Sequence, residues 1–229
     1  MKTFLGFTLV AFLSFQVFAQ APKYYSSAYP KFVSEFKDTI SLPFGGGMLN
    51  PQFSNIDLND DAINDIVVFD RSDNTIHTYL VFKTDGQVYY QYAPEYADFF
   101  PEGESIYLMR DYNTDGKEDI FLKLPNSAGG FSVLKNITTD SVPRFELEVY
   151  ELFAKNLYED SINILVSNID IPAVDDIDFD GDMDILKMDI LGGYAQLYEN
   201  LHSGSNGTYD ELSYAAADLC WGQFQEVLD

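Results

Sequence analysis

The stretch Asp57–Phe82, DLNDDAINDIVVFDRSDNTIHTYLVF, returns twice in the chain. It recurs as Asp111–Asn136, DYNTDGKEDIFLKLPNSAGGFSVLKN, and as Asp176–Leu201, DIDFDGDMDILKMDILGGYAQLYENL. The three segments align without a gap over 26 residues, and their starts lie 54 and 65 residues apart. Each opens with Asp or Asn at positions 1, 3, 5 and 9 and places Ile at position 10 ahead of a β-prone run. A turn follows at Ser72-Asp73-Asn74, Asn126-Ser127-Ala128-Gly129 or Gly192-Gly193, and a second extended run passes through Tyr79, Val133 or Tyr198. The pattern reads as loop, strand, turn, strand, repeated.

Oxygen coordination of a hard cation is the chemistry such a loop suits. Alternate residues of a tight loop direct carboxylate or amide oxygens to one centre, position 7 can add its backbone carbonyl, and position 9 closes the cage. The expected side-chain ligands are Asp57, Asn59, Asp61 and Asp65 in the first loop, and Asp111, Asn113, Asp115 and Asp119 in the second. In the third they are Asp176, Asp178, Asp180 and Asp184. Ile63, Lys117 and Asp182 would supply the carbonyls. Gly116 and Gly181 stand at position 6, where a sharp turn favours positive φ; Ala62 replaces them in the first loop and is expected to weaken it. An all-oxygen set without His or Cys points to Ca²⁺, in three sites of structural role. An EF-hand is excluded, because position 12 is Val68, Leu122 or Lys187, not Glu. One acidic turn in an acidic chain would mean little, but three in register make chance a poor reading.

Charge and composition narrow the function classes. The chain has 229 residues, 13 Lys+Arg against 37 Asp+Glu, and a formal net charge of −24. No nucleic acid partner is expected, because phosphate contacts need a basic face. Disorder is disfavoured by 46% hydrophobic residues, with 19 Phe and 16 Tyr to fill a core. The single Cys220 excludes an internal disulfide framework, and two histidines, His77 and His202, leave little for His-based catalysis.

Residues 1–19 read as a secretory signal peptide. Met1-Lys2 is a short positive start, Phe4–Phe18 is the apolar run, and Ala19 is the small residue at the cleavage position. The run is short for a membrane span, so no membrane insertion is expected after cleavage. A secreted or cell-surface location follows, where calcium is abundant.

The motif Asp-x-Asn/Asp-x-Asp-Gly-x-x-Asp ahead of an Ile-rich strand resembles the FG-GAP/VCBS repeats of secreted bacterial proteins and integrin α-subunit propellers. Leu42-Pro43-Phe44-Gly45-Gly46, ahead of Asn50-Pro51-Gln52-Phe53, resembles the Phe-Gly segment that precedes such a loop. The resemblance covers roughly residues 38 to 201 and extends to secreted repeat proteins of Bacteroidetes-type bacteria. It implies an all-β fold of β-propeller-type blades, each of four antiparallel strands. About three blades and a partial one are expected: residues 20–50 as the N-terminal segment and partial blade, 51–105, 106–170 and 171–229 as three calcium-loop repeats. Three blades do not close a ring of four to eight. An incomplete propeller is therefore expected, a fragment needing missing blades or self-associating.

Strands are expected at 53–56, 66–69, 75–82 and 88–92, with a hairpin at Thr84-Asp85-Gly86. In the second repeat they fall at 106–110, 120–123, 130–134 and 145–150. In the third they fall at 171–174, 185–188, 194–199 and 222–227. Cys220 reads equally as half of a disulfide or as a small buried residue. Tyr89, Tyr90, Tyr92, Tyr96 and Phe99-Phe100 read as core. No catalytic motif is present. The expected function is non-enzymatic adhesion, or binding of a surface glycan or protein ligand. The alternative is the propeller part of an extracellular carbohydrate-active enzyme, a lyase or hydrolase.

Overall fold

A computed structural model describes residues 47–125, 127, 129–191, 193–201 and 212–223. The signal segment, most of the expected partial blade, His202 and residues 224–229 lie outside the described residues.

The first sheet is an antiparallel meander of β1 (Pro51–Ile56), β2 (Asp65–Asp70), β3 (Thr75–Thr84) and β4 (Gln87–Tyr92), in that order. Asp85 and Gly86 both take positive φ, 53° and 75°, so the expected hairpin between β3 and β4 forms on a two-residue turn of the left-handed kind. A short 3₁₀ turn, Pro94–Phe99, leads out of this sheet. The second sheet repeats the meander with β5 (Tyr107–Arg110), β6 (Asp119–Leu122), β7 (Ser132–Asn136) and β8 (Phe145–Val149). The protein is therefore all-β, built of open antiparallel sheets.

The third sheet departs from the expected four strands. β11 (Ala173–Asp175), β12 (Asp184–Met188), β13 (Ala195–Asn200) and β14 (Tyr214–Asp218) make the meander. A small hairpin of β9 (Phe153–Lys155) and β10 (Ser161–Asn163) joins it, β9 running parallel to β14, so the sheet has six strands. Among the described residues the last strand is β14; of the expected strand at 222–227 only residues 222 and 223 are described, and they lie in a 3₁₀ turn, Trp221–Gln223. The run YAAAD at β14 carries small residues and hides its strand character from a reading based on bulky β-formers.

The three sheets stack face to face around two apolar clusters. Ile56, Val67, Phe69 and Leu80 of the first sheet meet Tyr107, Met109, Ile120 and Leu122 of the second. Leu108, Phe121 and Val133, on the other face of the second sheet, meet Val174, Ile185, Tyr198 and Tyr214 of the third. The middle sheet is thus covered on both sides. That is why β6 is buried at every position and reads as the continuous apolar run Ile120-Phe121-Leu122. Each fully buried aliphatic or aromatic side chain contributes roughly 1.5–3 kcal/mol through water exclusion.

The first strands of the three sheets are tied edge to edge. Gln52 Oε1 of β1 accepts the Tyr107 amide of β5 at 3.0 Å, and Arg110 Nε of β5 donates to the Val174 carbonyl of β11 at 2.8 Å. Arg71 reaches from the end of β2 to the carbonyls of Ser105, Asn168 and Asp170. Pinning the first strands together brings the three Asp-rich loops to one end of the sheet stack.

The aromatic group after β3 is not uniformly core. Phe100 is buried and Tyr92 and Tyr96 are half-buried, but Tyr89, Tyr90 and Phe99 are exposed. β4 is the outer strand of its sheet, and no described segment covers it. Cys220 is free and exposed, which overturns its reading as a buried residue.

Candidate metal centre

Each loop bridges the first and second strands of its sheet. The flanking pairs are Ile56 with Asp65, Arg110 with Asp119, and Asp175 with Asp184, so all three loops have the same length. The repeat seen in sequence is therefore a repeat in register.

Local geometry follows from short side-chain acceptors. At position 3, Asn59, Asn113 and Asp178 each accept the amide two residues on, at 3.2, 3.0 and 3.1 Å. At position 5, Asp61, Asp115 and Asp180 do the same at 2.8, 3.0 and 3.1 Å. These Asx turns coil the backbone tightly. The coil puts position 6 at positive φ, as expected: 63° at Ala62, 85° at Gly116 and 100° at Gly181. It also puts position 4 there, at Asp60, Thr114 and Phe179 with φ of 63°, 58° and 67°, which the sequence reading missed. Position 2 anchors the coil, because Leu58 and Tyr112 are each 1% exposed and belong to the two apolar clusters.

Position 9 is a structural acceptor in all three loops. Asp65 takes the amides of Leu58 and Val81, Asp119 those of Tyr112 and Asn136, and Asp184 those of Ile177, Asp178 and Asn200. The three carboxylates are fully buried. Burial raises all three above the usual Asp range against the pull of those amides, and Asp119 is pushed up to about 7.

Position 1 separates the loops. Asp57 turns both oxygens onto its own loop, accepting the amides of Asn59, Asp60, Asp61 and Ala62. Asp111 accepts those of Asp115 and Gly116. Asp176 differs: its Oδ1 is buried without a hydrogen-bond partner. In the third loop, oxygens of Asp176, Asp178 and Asp184 lie within 4.8 Å of one another, a separation that one metal ion can span. Among the described residues no other group of three acidic or His side chains does so. The three Asp side chains of the first loop and those of the second are not brought together in this way.

At position 7, Ile63 and Lys117 are half-buried, and the Lys117 ammonium donates to the Thr138 carbonyl. Asp182 is 1% exposed, with both carboxylate oxygens unpartnered. Burial first, then the charges of Asp180 and Asp184, pushes its carboxyl up to about 7. The sequence reading gave Asp182 only a carbonyl role.

A cavity of about 370 Å³ opens between the first and second loops, lined by Asp57, Asp60, Asp115, Glu118 and Asp140 with Lys117 as its cation. The third-loop cluster lies outside it, so the space and the convergent carboxylates do not coincide. No family model matches the chain, and neither a curated protein nor a solved structure matches it.

Proposed function

We propose that the chain is a secreted, non-enzymatic calcium-binding repeat protein of the FG-GAP/VCBS type. Its blades belong to an incomplete propeller, and calcium has a structural role in the three loops. The observation that carries this reading is the convergence of Asp176, Asp178 and Asp184 in a loop built three times to one length. The consecutive antiparallel meanders and their adjoining first strands support the propeller reading. With calcium clamping one end of the stack, the opposite end presents a fixed surface to a glycan or protein at the cell exterior.

Calcium removal tests the reading. With Kd on the order of 10⁻⁴ M, as in extracellular modules, ~2 mM calcium adds roughly 1.8 kcal/mol per site. Excess chelator should lower the melting temperature, and magnesium should restore it poorly. A melting curve indifferent to chelator would overturn the assignment. Retention on surface polysaccharides without turnover would support the binding role, whereas cleavage would favour a carbohydrate-active enzyme.

A further inference from the structure

Each sheet ends on one outer strand: β4 in the first, β8 in the second and β10 in the third. An outer strand leaves a row of backbone amides and carbonyls unpaired, and protein edges are commonly blunted by charge or by shortness. β8 exposes Glu146 and Glu148, and β10 is three residues long. β4 has neither protection. Its six residues, QVYYQY, include no charge and no proline, and Val88, Tyr89 and Tyr90 are 49%, 50% and 44% exposed. The hairpin decides which backbone groups are free. Across the two-residue turn Asp85-Gly86 the pair Thr84 and Gln87 exchanges both bonds, and bonded pairs then alternate along the ladder. Gln87, Tyr89 and Gln91 therefore bond to β3, whereas Val88, Tyr90 and Tyr92 turn amide and carbonyl outward. β3 obeys the same alternation: the Thr78 carbonyl accepts the Ala93 amide on one side, and the Val81 amide donates to Asp65 on the other. No hydrogen bond among the described residues uses the outward groups of β4.

We propose that β4 is a dimerisation edge, to which a second copy of this chain adds its own β4 antiparallel. Register and charge both select a second copy as the occupant. With Tyr90 opposite Tyr90 on a two-fold axis, Val88 of one copy faces Tyr92 of the other, and every outward amide and carbonyl of both strands gains a partner. The same register keeps like faces together. Val88, Tyr90 and Tyr92 line one face, where Tyr92 already lies 5.3 Å from Tyr79 of its own sheet, and such cross-strand pairs are favourable. Copies with 37 acidic against 13 basic residues repel, and the uncharged β4 lets them meet without pressing carboxylates together. Only Asp85 and Glu95, beyond the two ends of the strand, approach each other between copies, so salt strengthens the pairing. Each copy uses its one unprotected edge, so association stops at two. Six residues a side, against about 20–30 in a standard interface, make the dimer a weak one. The pairing does not depend on the calcium reading.

The two-fold axis at Tyr90 gives the test. The full mature chain and its Tyr90→Lys and Tyr90→Glu variants are followed by sedimentation over a range of concentrations, at low and high salt. Position 90 is exposed, and an unaltered melting temperature shows that each variant folds. The wild type should interconvert between monomer and dimer, with more dimer at high salt. Each variant alone should dimerise at least about tenfold more weakly, because like charges then stand directly opposite each other. An equimolar mixture of the two variants should recover the dimer, because opposite charges then face across the axis. Leu147→Lys, on the exposed edge β8, should leave the wild-type equilibrium unchanged. A wild type that stays monomeric throughout, or association that both variants retain, as contact through uncovered blade faces would give, overturns the role of β4. A mixture that associates no better than either variant overturns the register centred on Tyr90.

Discussion

The Asp65 carboxylate crosses its own sheet to the backbone of Val81, whose amide donates to Oδ1 at 2.7 Å, while Oδ2 takes the Leu58 amide at 3.0 Å. One buried side chain thus fastens the first loop to β3, and Asp119 and Asp184 repeat the arrangement. Position 9 consequently serves the fold even without metal. Asp65→Ala should destabilise the calcium-free protein by about 2–5 kcal/mol, since two buried amides lose their acceptors at ~1–3 kcal/mol each. Asp61→Ala, at an exposed position, should cost within ~0.5 kcal/mol under the same conditions. Urea denaturation in chelator measures both, and equal losses would contradict the division of labour.

Backbone strain at position 6 can be tested without metal. Ala62 holds φ of 63°, where a Cβ is unfavourable, while Gly116 holds 85°. A Cβ built on Gly116 meets nothing within 4 Å, so its substitution reports conformation alone. Gly116→Ala should cost about 1 kcal/mol and Ala62→Gly should gain up to about 1 kcal/mol. Thermal melting of the two variants checks both signs.

Calcium affinity should rank third loop, second loop, first loop. The third brings three carboxylates within 4.8 Å of one another and has Gly181 at the turn; the first has Ala62 and folds Asp57 onto four of its own amides. An ion entering the first loop must displace those contacts. Titration of Asp176→Ala, Asp111→Ala and Asp57→Ala should show the largest loss of tight binding for Asp176→Ala. The greatest loss at Asp57→Ala would reverse the ranking.

The junction ahead of β5 leaves no room for a methyl group. A Cβ on Gly103 would stand 2.6 Å from the Tyr107 ring, which is 1% exposed and stacked on Phe69 at 5.1 Å. Gly103→Ala should destabilise by about 1–3 kcal/mol, because the ring cannot retreat without disturbing the first apolar cluster. A denaturation midpoint equal to that of the wild type would show that the ring moves freely.

The calcium-free protein should respond to pH in the sense opposite to that of an ion-paired acidic protein. Asp119 and Asp182 are pushed from 3.8 to about 7 on folding, chiefly by burial. Between those values the folded state holds more protons than the unfolded state, so stability falls as pH rises through the window. Melting temperature in chelator should therefore drop between pH 5 and pH 8 as far as these two groups control it. Saturating calcium, which favours the ionised carboxylates, should flatten or reverse the trend.

The local parts of this protein were legible in its sequence, for a physical reason. The loop hydrogen bonds at positions 3 and 5 span two residues each, so an Asp or Asn at the right spacing is enough to set the turn. The Asp85-Gly86 hairpin and the strands after each loop are equally local, and their bounds differ from the expected ones by one or two residues. Positive φ at Thr114 and Phe179 was not legible, because neither residue type favours the left-handed region; at Asp60 the residue type tolerates it. The remaining features depend on which distant segment lies alongside. β9 pairs with β14 across some sixty residues of chain, and its three-residue sequence has no signal of a parallel partner. Tyr89 and Tyr90 are exposed, although their composition reads as core, because burial needs a covering sheet and β4 is an outer strand. Asp182 reads in sequence like any acidic residue of the loop. Only the folded chain takes its side chain out of water, to 1% exposure beside the carboxyl of Asp180.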